Sequence, residues 1–488
     1  MKAERLFTII GLVDEDLVEE AVQPQKGSWV KVLTTAAAAC LALSLAAGPM
    51  AALLSPKGST EAAAPAASAP AAGESAGCTT ESAPFSSYGG PVLPLIGVKD
   101  TGITAARTLD FSISGAKASV RDTYTLTNPT DLDITFTAYY PVTGSLSEVD
   151  TILPALSVDG TAPETSLYAG RYAGTFVSAY GSEDETRTDN LFQPNTWDFY
   201  STLLDGGDLE DALAGIPALE EQVTVYAFGD YVTRSDYDAA TLAMEFTIDP
   251  EETSILTYGI NGASWDENTG WRQYDFFVPN GVRRETERKL LIVRGADIGN
   301  YTMEGYTNGG CQEPLEGLSC SVTRYETTLE ALLMDLCQAY LDDYAAGYNV
   351  SGILKSDPEH ISLDLFYRCV VEIMTEYGPL ADTPTDRYGH RLDEIIYEAL
   401  ILDRIFYTGF EVTVPAGGSV TVTAACKKAG SFDYPGANDD RRGVYGYDLL
   451  TGSFPTTLTV TGEEITGGNV ESGMELTEES HYYFEVEP

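Results

Sequence analysis

Acidic clusters, aromatic loops and three scattered histidines are the groups in this chain that could do chemistry. His360, His390 and His481 are the histidines. None lies in an HExxH pair, the spacing that sets two imidazoles on one zinc. HRLDE brings His390 close to Asp393 and Glu394. That trio has ligand chemistry, but it also matches the acid-rich start of an ordinary helix. DGGDLED (Asp205, Asp208, Glu210, Asp211) and WDENTG (Asp266, Glu267, Asn268) gather hard oxygens. Calcium is the one ion they would suit, although neither follows the EF-hand loop. We therefore assign no cofactor and no metal ligand. No GxSxG elbow and no GxxxxGK[ST] loop occurs, so no catalytic residue is assigned. Aromatic loops are the remaining signal. NTWDFY, SWDENTGWRQYDFF and DYPGANDDRRGVYGYD set Trp197, Trp265, Trp271, Tyr274, Tyr434 and Tyr445 beside Asp, Asn and Arg. Such sets stack sugars or grip peptides, and these six are the candidate ligand-binding residues. Aromatics buried at the ends of a β-sandwich leave the same trace.

Charge narrows the partners. The 488 residues carry 28 basic and 74 acidic side chains, a formal net charge of −46. That surface repels phosphate backbones, which excludes nucleic acid. An exported hydrolase with paired carboxylates is the enzymatic alternative, with no pair singled out among so many acids. The 29 Tyr and 46 Gly point to a folded, β-rich body rather than a disordered acidic chain. Of seven Cys, Cys40 falls in an apolar run. CQEPLEGLSC offers a loop closure between Cys311 and Cys320, whereas Cys337 and Cys369 sit on apolar helix faces as expected buried thiols.

The elements that would position these groups begin with an anchor. WVKVLTTAAAACLALSLAAGPMAALL occupies 29–54 and has no charge from Val32 to Leu54. As a helix that run reaches about 34 Å, enough to cross a bilayer core of roughly 30 Å. The leader before it is long and acidic, unlike the short basic start of a signal peptide. Residues 29–54 are read as a retained transmembrane helix that contacts the membrane through 32–54, with Lys26 and Lys31 holding the N-terminus in the cytoplasm. Residues 55–90 are an Ala/Pro/Ser/Gly linker that lifts the rest away from the membrane.

In LFTIIGLVDEDLVEEAV, Phe7, Ile10 and Leu17 share a helical face with Val13 beside it, opposite a run of acids. Residues 1–28 thus form a cytoplasmic amphipathic peptide, and these four residues are the candidate partner contacts. IIGLVDEDLVEEA followed by a Lys-flanked Ala/Leu span resembles the N-termini of single-pass proteins of clostridial-type bacteria, several of which are anti-sigma-factor-like. The resemblance implies a sigma factor as a cytoplasmic partner. The zinc-binding His/Cys pattern of the best-known anti-sigma domains is lacking.

Alternation marks strands from about residue 105. Val120, Tyr124 and Leu126 alternate with polar neighbours, as do Ile134, Phe136 and Ala138 beyond an Asn128-Pro129 turn. We read these as an antiparallel pair. YTLTNPTDLDITFTAYYPV followed by LSVDG is similar to the vault/inter-alpha-trypsin (VIT) β-sandwich family, with TIDPEETSILTYGI as its closing strands. That resemblance implies an interaction module over 91–262. From 327 the period becomes 3.6. TTLEALLMDLCQAYLDDY, SLDLFYRCVVEIMTEYGP and RLDEIIYEALILDRIFYTG predict three helices over 327–407, the first boxed by Thr327 and Glu330 and the last ending at Gly409. Strands resume after 408. Residues 263–326 and 408–488 are therefore read as a second β domain, since edges at 290–325 need partners. The expected fold is mainly β with an α insertion. It has two β-sandwich-like domains, the second interrupted by a helical bundle, behind an N-terminal transmembrane helix. The expected function is a membrane-anchored extracytoplasmic binding or sensory protein without catalysis, its extracellular ligand unspecified. An anti-sigma-like transducer is the alternative.

Overall fold

The structure, a computed structural model, describes residues 85–99, 101–177, 190–192, 196–205, 207–237, 239–278, 288–345, 357, 360–382, 390–434 and 441–488. The amphipathic peptide with Phe7, Ile10, Val13 and Leu17, the apolar segment 32–54 and most of the linker lie outside them. Among the described residues no helix is long and apolar enough to cross a membrane.

The body is mainly β, with a helical set inserted between strands. Thr104–Ser114 and Lys117–Thr127 form a hairpin around Gly115. Its φ of +59° is a turn conformation that glycine adopts without steric cost. Val120, Tyr124 and Leu126 are buried, as a period of two requires.

The expected pairing of 134–138 with 117–127 is not what forms. Lys117–Thr127 pairs with Ser419–Ala429, and Ile134–Ser145 pairs with Asp403–Val414. The Asn128-Pro129 turn crosses between sheets instead of closing a hairpin. Buried Asn128 holds that crossing: its amide donates to the carbonyls of Leu132 (2.7 Å) and Val414 (3.0 Å). The pairing of 290–325 with 410–488 also gives way. Lys289–Gly295 lies between Thr253–Tyr258 and Gln222–Val232, and Ser319–Thr328 pairs with Gln222–Val232. Alternation says which face of a strand is buried; it does not name the neighbour.

The last strands of the chain therefore complete the sheets of the first. Thr456–Thr461 runs parallel to Thr104–Ser114 in a six-stranded sheet. Phe111, Val120 and Val460 of that sheet meet Tyr447, Leu449 and Phe484 of a four-stranded one. Tyr124, Leu126 and Val422 share a core with Tyr140, Phe406 and Val412 of the Ile134–Ser145 sheet. Between these halves comes another pair of four-stranded sheets, whose shared core includes Leu242, Met244, Phe276, Leu291 and Val293. Its outer residues Val223, Val225, Leu290 and Ile292 join the core of the helices.

The helices are Leu329–Ala345, Leu363–Glu376 and Leu392–Ile401. Leu332, Leu336, Phe366, Val370, Ile395 and Ala399 are buried, following the expected stripes. Two boundaries shift. The first helix is capped by the Thr328 hydroxyl, 3.2 Å from the Ala331 N–H, with Thr327 still in a strand. The third stops at Ile401, and Phe406 lies in Asp403–Val414. The run Ile405-Phe406-Tyr407-Thr408 is β-branched and aromatic, the composition of a strand.

One ion pair ties three sheets together. Arg107 Nε and Nη2 donate to Asp122 at 2.8 and 2.7 Å, with both side chains fully buried. The hydroxyls of Tyr124 and Tyr140 donate to Asp122 Oδ2 at 2.9 and 3.0 Å. Arg107 Nη1 donates to the Leu450 carbonyl at 2.6 Å. Removing one member of a buried pair strands the other charge, at a cost of roughly 3–5 kcal/mol. Asp122→Ala should therefore lower urea stability by about that much. Arg107→Met with Asp122→Ala should cost less than the two single changes combined. A loss below about 0.5 kcal/mol for Asp122→Ala, the range of ordinary surface changes, would contradict this role.

Candidate functional site

A cavity of about 200 Å³ is lined by residues of strands Ile134–Ser145, Asp403–Val414 and Ser419–Ala429 and by the segment 87–93. Lys428, Asp403, Cys426, Glu148, Thr143 and Tyr88 bring its polar chemistry. Strand parity explains the lysine. In SVTVTAACKKA, Val420, Val422, Ala424, Cys426 and Lys428 share one face, and the first three are buried. The same alternation carries the Lys428 ammonium inward, where Nζ donates to Thr143 Oγ1 at 2.8 Å. Gly90, with φ +74°, allows the covering segment to approach. A Cβ there would stand 2.2 Å from Thr143 Oγ1 and 3.3 Å from Lys428 Nζ.

Burial disfavours both charges in this space. Desolvation pulls the Lys428 ammonium down to about 8, against the pull of Cys426, Asp403 and Asp448. Desolvation pushes the Asp403 carboxyl up to about 6; Glu148 adds to the rise and Lys428 opposes it. Among the described residues neither side chain makes an ion pair, and the Asp403 carboxyl accepts no hydrogen bond. Burial also raises the Cys426 thiol to about 11, so it is a poor nucleophile near neutral pH.

Trp197 stacks on His481 next to the cavity, with ring centroids 4.7 Å apart and planes 12° apart. His481 Nε2 lies 2.5 Å from Asp448 Oδ1. Tyr88, whose hydroxyl burial makes harder to ionise, faces Tyr200 at 5.4 Å. Trp197 is thus a packing residue, and nine-tenths of it is buried.

The other aromatic candidates lie apart. Gly262–Asp266 and Trp271–Phe277 pair, with Trp265 opposite Arg272 and Ala263 opposite Tyr274. Trp265, Arg272 and Tyr274 share one face by that register, and Trp271 lies on the other beside Asp266. Trp265 is 57% exposed. Tyr274 stacks on Phe246 at 5.8 Å, so part of it is core. Tyr445 packs on Phe432, and Tyr434 is exposed. The six residues do not form one platform.

The acidic motifs serve the backbone. Asp208 accepts from the Arg171 N–H (2.7 Å) and the Tyr407 hydroxyl (2.7 Å). Asp266 accepts from the Asn268 N–H at 2.9 Å. Asp393 and Glu394 pair with Arg391. Among the described residues no group of three His, Cys, Asp or Glu is placed to hold a metal. Cys311 and Cys320 are free thiols, so the loop closure that their spacing offers is not made. Cys337 and Cys369 are buried and free, as expected.

The lysine sets a pH dependence. Its folded pKa lies below its ordinary 10.5, so the unfolded chain binds more protons between about 8 and 10.5. Stability lost to the buried charge is missing in full below 8 and recovers as pH rises through that window. Lys428→Met should therefore melt higher than the parent at pH 7, with the gain shrinking toward pH 10.5. A gain that grows with pH would contradict the assignment.

No family model matches the chain, and no curated protein matches it. Among solved structures, the Fcho1 Mu homology domain of Danio rerio with bound Eps15 peptide aligns over 49% of this chain and 90% of its own. Its identity is 9% and its TM-score 0.11, a likeness that carries no argument about fold or function.

Proposed function

We propose that the protein is a single-pass membrane protein whose β-rich body, two sandwich-like domains with a helical insertion, works outside the cell in binding or sensing. The exposed Trp265 on the edge strand Gly262–Asp266 is the observation that carries the binding role. An edge strand leaves backbone N–H and C=O groups open, and a large aromatic beside them adds area for a ligand. Arg272 lies opposite Trp265 and supplies a donor on the same face. The uncharged run 32–54 supports the anchor, and the net charge of −46 favours cationic or neutral ligands.

External protease on intact cells should remove epitopes within 85–488 and spare an epitope in 1–28. A body that stays protected until the cells are lysed would overturn the placement. Trp265→Ala should leave the melting temperature within about 2–4 °C of the parent, since an exposed side chain contributes little to the core. It should also abolish any fluorescence response to glycan or cationic-peptide panels. An unchanged response in the variant would remove the edge strand from the binding role.

A further inference from the structure

Lys428 and Asp403 are opposite charges that line one cavity without pairing. Two buried arginines of the body meet carboxylates: Arg107 finds Asp122 at 2.7 Å, and Arg404 finds Glu372 at 2.6 Å. In the cavity the lysine instead bonds a neutral hydroxyl, Thr143 Oγ1. The aspartate carboxyl has no donor among the described residues. Two unpaired charges facing one cavity lose part of their solvation, and a guest that answers both would offset both losses. The guest must carry an anion and a cation close together.

We propose that this cavity binds a small free α-amino acid, its carboxylate on Lys428 Nζ and its ammonium on Asp403. The inference goes beyond the binding role proposed above: it adds a second site, apart from the Trp265 edge strand. Size supports it. About 200 Å³ leaves room for a ligand the size of alanine or serine. The remaining walls include Val92, Val142 and Ile152, which suit a short apolar side chain. Gly90 holds the covering segment close, and any side chain there would strike Thr143.

Calorimetry on the purified full-length protein in detergent tests this, using alanine, serine, propionate and ethylamine as probes. Alanine or serine should bind. Propionate and ethylamine, which each keep one charge, should bind at least about tenfold more weakly. Those arms use the parent protein and need no variant to fold. Lys428→Met and Asp403→Asn should each weaken alanine by about tenfold or more. The proposal is overturned if neither alanine nor serine binds at millimolar concentration, or if propionate matches alanine. It is equally overturned if both cavity variants bind as the parent does. An intact mass one water lighter, from an amide between Lys428 and Asp403, would overturn it too, since no free charges would remain. Calorimetry is blind to which side of the membrane the body occupies. Failure here is thus distinct from failure of the protease experiment.

Discussion

A guanidinium leaves water only if other groups answer its charge, and Arg107 draws those groups from three sheets. Asp122 comes from the neighbouring strand, Leu450 gives a carbonyl from the four-stranded sheet, and Tyr140 reaches Asp122 from the three-stranded one. Each partner satisfies the pair only when its sheet is docked. Partly docked, the same groups would be buried charge without compensation, which costs several kcal/mol per ion. The pair therefore makes the three sheets depend on one another. Arg107 and Leu450 are 343 residues apart in sequence, so the dependence spans most of the described chain. Contacts of such separation close slowly, which makes this body the expected late step of folding.

Within that frame the long middle of the chain is an insertion. It leaves after Ser166–Tyr172 and returns at Asp403–Val414, where strand pairing resumes with Ile134–Ser145. The return is sealed by Arg404, fully buried, whose Nη1 donates to Glu372 of the helix Leu363–Glu376 and to the Gly170 carbonyl. Asp403, one residue earlier on the same strand, faces the cavity instead. Alternation sends Arg404 to the helices and Asp403 to Lys428, so one strand end serves both packing and a polar space.

Sequence periodicity disclosed the elements well and their neighbours poorly. Leu332, Phe366 and Ile395 were legible as buried because a period of 3.6 fixes a face. Val120 and Tyr124 were legible by a period of two. The partner of each strand was not legible, since Val-Thr alternation recurs from 104 to 461 and any such strand could pair with another. The buried arginine and the inward-facing lysine were hidden for a different reason. Charged side chains read as solvated by default, yet Arg107 shares its parity with Leu109 and Phe111, and Lys428 shares its parity with Val422 and Ala424. A charge on the apolar parity of a strand is the signal that could have found both sites. The aromatic loops misled in part, because Trp197 and Tyr274 fill space against His481 and Phe246.

The account depends on residues 104–145 and 403–486 forming one cooperative body around the Arg107–Asp122 pair. Native-state hydrogen exchange with peptide-level mass analysis measures this most directly. Peptides from Thr104–Ser114, Lys117–Thr127, Asp403–Val414, Ser419–Ala429 and Tyr445–Leu450 should share one slow opening free energy and lose protection together as denaturant rises. If the strands after 403 exchange freely while 104–145 stays protected, the two segments are independent, and the central claim is contradicted.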